Sequence, residues 1–240
     1  MARASRLAAL ALAGALAPAA AQACSLALVL ALDVSASVDV REYRMQTGGL
    51  AAALRTPLIA EALMGRGGAG PVALAAFEWS GPSAQAPVLD WLVIDSPARL
   101  AQAAATIAAH ARQVPPGSTA IGAAIAHAGR LLARNPGCAA QAIDISSDGM
   151  NNAGPAPRAA AARLPRVTIN ALVIGGDLIL DHAPYVPGDG VLSGWFRENV
   201  IQGPGAFVEV ADGYTDYEAA MRRKLIRELG LLVIGSAPWR

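Results

Sequence analysis

Leu26 to Leu32 (LALVLAL) is an unbroken apolar run that ends on Asp33. A strand with no polar alternation has both faces covered, which is the position of a central strand in a parallel sheet. Such a sheet needs helices on both sides, and the chain supplies them in alternation. Asp39 and Glu42 form a capping box, and Tyr43, Gln46/Thr47, Leu50 and Leu54 recur at helical spacing up to Pro57. Strands are predicted at Val72–Phe77 and Val88–Ile94, joined through Ser80, Gly81, Pro82 and Ser83 closely enough for a hairpin. An alanine-rich helix runs from Pro97 to about Gln113 and a second from about Ala120 to Arg134. Then come strand Ala142–Ile145, helix Pro157–Leu164, strand Val167–Ile174, a long loop Gly175–Gly194, a helix around Trp195–Ile201 and strand Ala206–Val210. The last helix carries Tyr217, Met221, Leu225 and Leu229, is capped by Thr215 with Glu218, and closes at Gly230. This order predicts one α/β domain over residues 24–235: a doubly wound, mostly parallel central sheet with helices on both faces and one antiparallel edge strand, followed by a tail at 236–240.

Residues 1–23 read as an address. Arg3 and Arg6 precede an apolar stretch from Leu7 to Ala17, and Ala21, Gln22 and Ala23 form an A-x-A cleavage site. The stretch is shorter than the roughly 20 residues a bilayer span needs, and no later segment offers a span. The expected location is therefore periplasmic or secreted. Removing this leader takes away two of the 19 basic side chains and none of the 18 acidic ones, leaving a nearly neutral chain without any Lys/Arg block. Nucleic-acid binding has no electrostatic basis in such a chain. With 54% hydrophobic and 15% charged residues, the composition also excludes a disordered protein.

In open α/β sheets, ligands bind beyond the carboxyl ends of strands where the strand order reverses. Polar residues gather at such ends here. Asp33, Ser35 and Ser37 follow the first strand as D-x-S-x-S, Gly117, Ser118 and Thr119 precede a helix, and Asp148 with Gly149 follows the strand ending near Ile145. Two carboxylates and three hydroxyls, with no Cys or His, are hard oxygen donors suited to Mg²⁺ or Mn²⁺ rather than Zn²⁺ or Cu²⁺. D-x-S-x-S alone also fits a turn or a helix cap; its association with Thr119 and Asp148 is what favours a metal.

These residues resemble the von Willebrand factor type A domain with its metal-ion-dependent adhesion site. The resemblance rests on D-x-S-x-S at Asp33–Ser37, Thr119 in Gly-Ser-Thr and Asp148 in Ser-Asp-Gly. DVSASVD, FEWSG at Phe77–Gly81, TAIGAAIAHA from Thr119, IDISSDG at Ile143–Gly149 and GPGAFVEVA at Gly203–Ala211 look more like a secreted bacterial subgroup of unknown function. The resemblance implies that Ser35, Ser37 and Thr119 ligate the ion directly, that Asp33 and Asp148 act largely through water, and that the ion engages an Asp or Glu carboxylate of a protein partner. Ala36 and Ser147 stand where such sequences often have Gly. The resemblance also implies that the strands before Asp33 and Asp148 are parallel neighbours, which puts Cys24 and Cys138 at the opposite rim within reach of a disulfide. Two free thiols or a lipidated Cys24 are the alternatives.

Other residues carry weaker signals. His110, His127 and His182 are too scattered for a metal cluster, and no G-x-S-x-G, phosphate-loop or dinucleotide fingerprint occurs, so no catalytic residue is expected. Glu78, Trp79 and Trp91 border the hairpin and read as edge-strand packing or as part of a partner surface. The loop Asp177–Gly190, with Asp181, His182, Tyr185 and Asp189, is long enough to be functional. Against a metal-dependent binding module stand two rivals: a metal-assisted periplasmic hydrolase, which would need a general base beyond the two aspartates, and an assembly subunit whose metal site does not function.

Overall fold

The computed structural model describes residues 24–135, 137–175 and 190–231. The expected leader at 1–23, the expected tail at 236–240 and residues 177–189 of the expected loop lie outside these residues.

Strand β1 (Cys24–Asp33) lies at the centre of a six-stranded sheet. From it the chain passes through helices α1 (Val40–Leu54) and α2 (Pro57–Leu63) to β2 (Val72–Trp79), and turns back into β3 (Gln85–Ile94). It then crosses through α3 (Pro97–Ala109) and α4 (Ile121–Leu132) to β4 (Cys138–Ser147) on the other side of β1. Helix α5 (Pro157–Ala161), β5 (Thr168–Ile174), α6 (Val191–Asn199), β6 (Val208–Ala211) and α7 (Tyr217–Glu228) complete the order. The sheet runs β3-β2-β1-β4-β5-β6, with β3 antiparallel and the remaining pairs parallel. The strand order therefore reverses between β1 and β4.

The apolar run of β1 is divided between two cores. Leu28, Leu30 and Leu32 face α1, α2, α3 and α7 through Leu50, Leu54, Leu63, Ile107 and Met221. Ala27, Val29 and Ala31 face α4, α5 and α6 through Ile121, Ile125, Ala161 and Phe196. All six are completely or almost completely buried, as a strand without alternation requires. At the start of β1, Cys24 pairs in register with Cys138 of β4, and a disulfide joins them across a Cα–Cα distance of 4.5 Å.

The structure departs from the sequence expectation at several helix ends. Pro57 both stops α1 and opens α2, which the sequence reading did not include; Pro favours the first turn of a helix because its missing N–H is not needed there. Helix α3 stops at Ala109 rather than near Gln113, because the amides of Gln113 and Val114 are taken by the Glu78 carboxylate (2.5 and 2.6 Å). Helix α6 starts at Val191, inside the expected loop. Thr215 does not cap α7; it lies in a 3-10 turn, Tyr214–Asp216, and Asp216 occupies the cap position. The Asp39–Glu42 capping box forms with both bonds at 2.8 Å. Trp79 and Glu78 are buried and Trp91 donates its indole N–H to the Leu131 carbonyl (3.1 Å), so the hairpin residues pack inward.

Candidate metal centre

The last residue of β1, Asp33, is fully buried. One of its oxygens accepts the Ser35 amide (2.7 Å), which curls the D-x-S-x-S loop back over the strand end. The other accepts the Ser147 hydroxyl from the end of β4 (2.5 Å). The loop is held from its other side by the Ala36 amide, which donates to the Gly117 carbonyl (2.9 Å). Ser35 and Ser37 hydroxyls lie 3.2 Å apart, and Ser37 donates to Asp148 Oδ1 (2.6 Å). Tyr214, in the turn before α7, donates to Asp148 Oδ2 (3.3 Å). Asp33, Ser35, Ser37 and Asp148 therefore meet in one network across the crevice between β1 and β4. Asp33 and Ser35 form its buried floor, and Ser37 its solvent side.

Thr119 enters from the start of α4. Its amide donates to Asn152 Oδ1 (2.8 Å) and its carbonyl accepts from the Asn152 amide (2.9 Å). Asn151 accepts the Gly122 amide (3.1 Å), supplying the cap that Ala120 cannot. The Thr119 hydroxyl lies against the turn after Asp148: a side-chain carbon placed on Gly149 would sit 3.6 Å from it.

Sequence reasoning did not single out Asn151 or Asn152, and noted Ser147 only as standing where glycine is frequent. Their side chains bridge the separate segments of the site. The Asn pair directly following Gly149-Met150 was the available signal, since Asn favours caps and turns. The Ser147 bond to Asp33 spans 114 positions and has no local signature.

The network is rich in anions and poor in cations. Burial pushes the Asp33 carboxyl up to about 7, opposed by the Ser147 and Ser35 hydrogen bonds and assisted by repulsion from Asp148. Burial and the carboxylates Asp148 and Asp33 hold Tyr214 far above the usual phenol range, so it stays a neutral donor. The nearby guanidinium, Arg112, directs its N–H groups to backbone carbonyls. A buried carboxylate with neutral donors, beside a second carboxylate and three hydroxyls, is a donor set suited to a hard divalent cation. Among the described residues no group of three or more His, Cys, Asp or Glu side chains offers a softer site. His110 faces Glu78 (3.6 Å) and His127 stacks on Phe77 (4.6 Å between rings), so neither joins the network.

The chain shares the fold of solved von Willebrand factor type A domains. Its likeness to solved structures is one of fold, at low identity. Proximal thread matrix protein 1 from the mussel byssus superposes with a TM-score of 0.59 at 16% identity, over 88% of this chain and 49% of that one. A von Willebrand factor type A protein from Catenulispora acidiphila gives 0.57 at 18%, over 86% and 43%. The pilus adhesin SpaC from Lactobacillus rhamnosus GG gives 0.56 at 14%, over 86% and 31%. The chain thus spans about half or less of these proteins. Over residues 23–232 it matches the family described as protein of unknown function DUF1194, and it belongs to that family. No curated protein has a detectably similar sequence.

Proposed function

We propose that this chain is an exported binding module that holds a divalent cation at Asp33, Ser35, Ser37, Thr119 and Asp148 and uses it to engage an Asp or Glu carboxylate of a protein partner. The observation that carries the reading is the buried Asp33 carboxylate, which has only neutral donors around it and a second carboxylate nearby. Mg²⁺ or Mn²⁺ fits this hard, hydroxyl-rich set. A bound cation would supply an electrophilic position that an outside carboxylate oxygen can occupy. Ser35 and Ser37 are neutral donors and leave most of the ion's charge uncompensated. Proximal thread matrix protein 1 has been solved with a zinc-occupied site of this motif, which supports metal binding at the corresponding place in this fold.

Export is part of the same reading. The leader at residues 1–23 and the Cys24–Cys138 disulfide both suit an oxidising compartment, periplasmic or extracellular. No helix among the described residues is long and apolar enough to cross a membrane. We read the module as a binder rather than a hydrolase, because the described histidines point elsewhere and the aspartates are engaged within the site.

Calorimetric titration of the leaderless chain with Mg²⁺ and Mn²⁺ tests the site. Saturable binding in wild type and none in folded D33A and D148A is the expected result. Equal binding by all three proteins would reject the assignment of these residues.

A further inference from the structure

Carbonyl oxygens are hard donors too, and a pliable loop could turn them toward a cation as easily as its hydroxyls. Around the D-x-S-x-S loop the carbonyls of Val34, Ser35 and Val38 are already held. Arg112 Nη1 donates to the Val38 carbonyl (2.9 Å), and Nη2 donates to the Val34 carbonyl and lies 3.5 Å from that of Ser35. Its Nε donates to Val114 within the same strap (3.0 Å). One planar fork thus spans the loop from Val34 to Val38 and brackets Ser35 and Ser37, two of the three hydroxyl donors of the site.

The strap bearing Arg112 is itself fixed to the sheet. Glu78, fully buried on β2, accepts the amides of Gln113 and Val114 through one oxygen and the Tyr43 hydroxyl through the other (2.7 Å). Tyr43 belongs to α1, so the arrangement ties β2, α1 and the strap together before Arg112 reaches the loop. Residues 110–113 leave the helical path to make these contacts.

We propose that Arg112 is a positioning residue of the cation site, and that its hold on the loop carbonyls makes the site prefer Mg²⁺ to Ca²⁺. This rests on reading the site as a cation site. Mg²⁺ demands near-octahedral geometry with few ligands, whereas Ca²⁺ accepts six to eight oxygens, backbone carbonyls included, in flexible arrangements. A loop whose carbonyls are engaged offers hydroxyls in one arrangement and suits the smaller ion. A released loop offers extra carbonyl oxygens and suits the larger one.

Charge and geometry act in opposite directions here, which makes the inference testable. Removing a guanidinium near a dication favours binding through Coulomb repulsion relieved; losing the fork disfavours it. Lys keeps the charge but cannot reproduce the planar fork.

The experiment titrates the leaderless wild type, R112K and R112Q with Mg²⁺ and with Ca²⁺, and measures amide hydrogen exchange of residues 34–38 in chelator. The expected result is Mg²⁺ affinity weakened by about tenfold in R112K, the scale typical of outer-shell partners. Ca²⁺ affinity should change less, so the ratio falls, and the Ala36 and Val38 amides should exchange faster. A wild-type Mg²⁺/Ca²⁺ ratio in R112K, even with both affinities lowered, would overturn the positioning role, as would tighter Mg²⁺ binding in R112Q. Should R112K fail to fold, E78Q loosens the same strap and must lower the ratio. Wild type that binds neither ion rejects the cation reading and this inference with it, whereas wild type that binds with an unchanged ratio in the variants rejects the inference alone.

Discussion

Replacing both cysteines tests how far the β1–β4 pair depends on its covalent tie. The Cys24–Cys138 bond closes a loop with a sequence separation of 114, which takes in β1, β2, β3 and four helices. Chain-entropy bookkeeping gives about 4.8 kcal/mol at 25 °C for a loop of this size, near the top of the range observed for disulfides. The cysteines are directly opposed in the parallel register, so serines there leave the remaining ladder from Leu26/Ala140 to Leu32/Ser146 intact. For a domain of this length each kcal/mol shifts Tm by about 2–4 °C, so C24S/C138S should melt about 10–20 °C below wild type. Scanning calorimetry without reductant measures the difference, and reduced wild type should melt with the double variant. The bond lies at the pole opposite Asp33 and Asp148, so Mg²⁺ titration of the folded double variant should match wild type. A Tm loss of under about 3 °C, or reduced wild type that melts like oxidised wild type, refutes the loop-closure argument.

Lys224 is buried between Asp144 (2.7 Å) and Glu228 (3.1 Å); K224M leaves two buried carboxylates without their cation and should cost about 3–5 kcal/mol in urea denaturation. Burial, with a contribution from Glu228 and against the attraction of Lys224, pushes the Asp144 carboxyl up to about 7 from 3.8. A carboxyl raised in the folded state contributes stability that is complete below the unfolded pKa and lost as pH rises through the folded one. Stability in chelator should therefore fall between about pH 4 and 7, and D144N should make that fall shallower, with Asp33 continuing to contribute in the same direction; an unchanged slope in D144N contradicts this. Gly48 and Gly122 separate helix propensity from packing. A side-chain carbon on Gly48 meets nothing within 4 Å, so G48A should stabilise by about 0.5–1 kcal/mol. At Gly122 the same carbon would lie 2.1 Å from the Pro155 carbonyl oxygen, so G122A should lose more than propensity returns, about 1–3 kcal/mol net, read as the urea midpoint.

Features with a local cause were legible in the sequence. The β1 run, the Asp39–Glu42 cap, the hairpin turn and the polar residues at strand ends depend on neighbours within a few positions, whereas the pairing of β1 with β4 was implied by the resemblance alone. What escaped notice depends on distant partners. The alanine-rich pattern continues through Ala111, so periodicity carries α3 to Gln113, and only Glu78, 35 positions away, draws the backbone out of the helix. Arg112 looks like an ordinary surface cation until the fold brings it to Val34, 78 positions back. Asn152 holds Thr119 across 33 positions. Asp33, Ser35, Ser37 and Asp148 could be named because they follow strand ends, and Thr119 because Gly-Ser-Thr precedes a helix and matches the resemblance; the groups that orient them could not, because their partners lie on other elements.

The same two strands carry both poles of the molecule. β1 and β4 begin at the disulfide and end at Asp33 and Ser147, whose hydrogen bond closes the pair at its other end. Between those ends β1 from Ala27 onward and β4 from Ala142 onward are buried, so their relative position is set before any ligand arrives. The loop beyond Asp33 is anchored by Val34 and Val38, which pack with Tyr43 and Val114, while Ser37 stands exposed at its tip. Hydrogen bonds to Arg112 and Gly117 of the α3–α4 connection and to Asp148 beyond β4 fix its tip, from two separate segments of the chain. A site made this way has a rigid carboxylate floor and a hydroxyl rim whose geometry depends on its supports. Substitution of Asp33 should therefore remove cation binding, whereas substitution of Arg112 should change which cation is preferred.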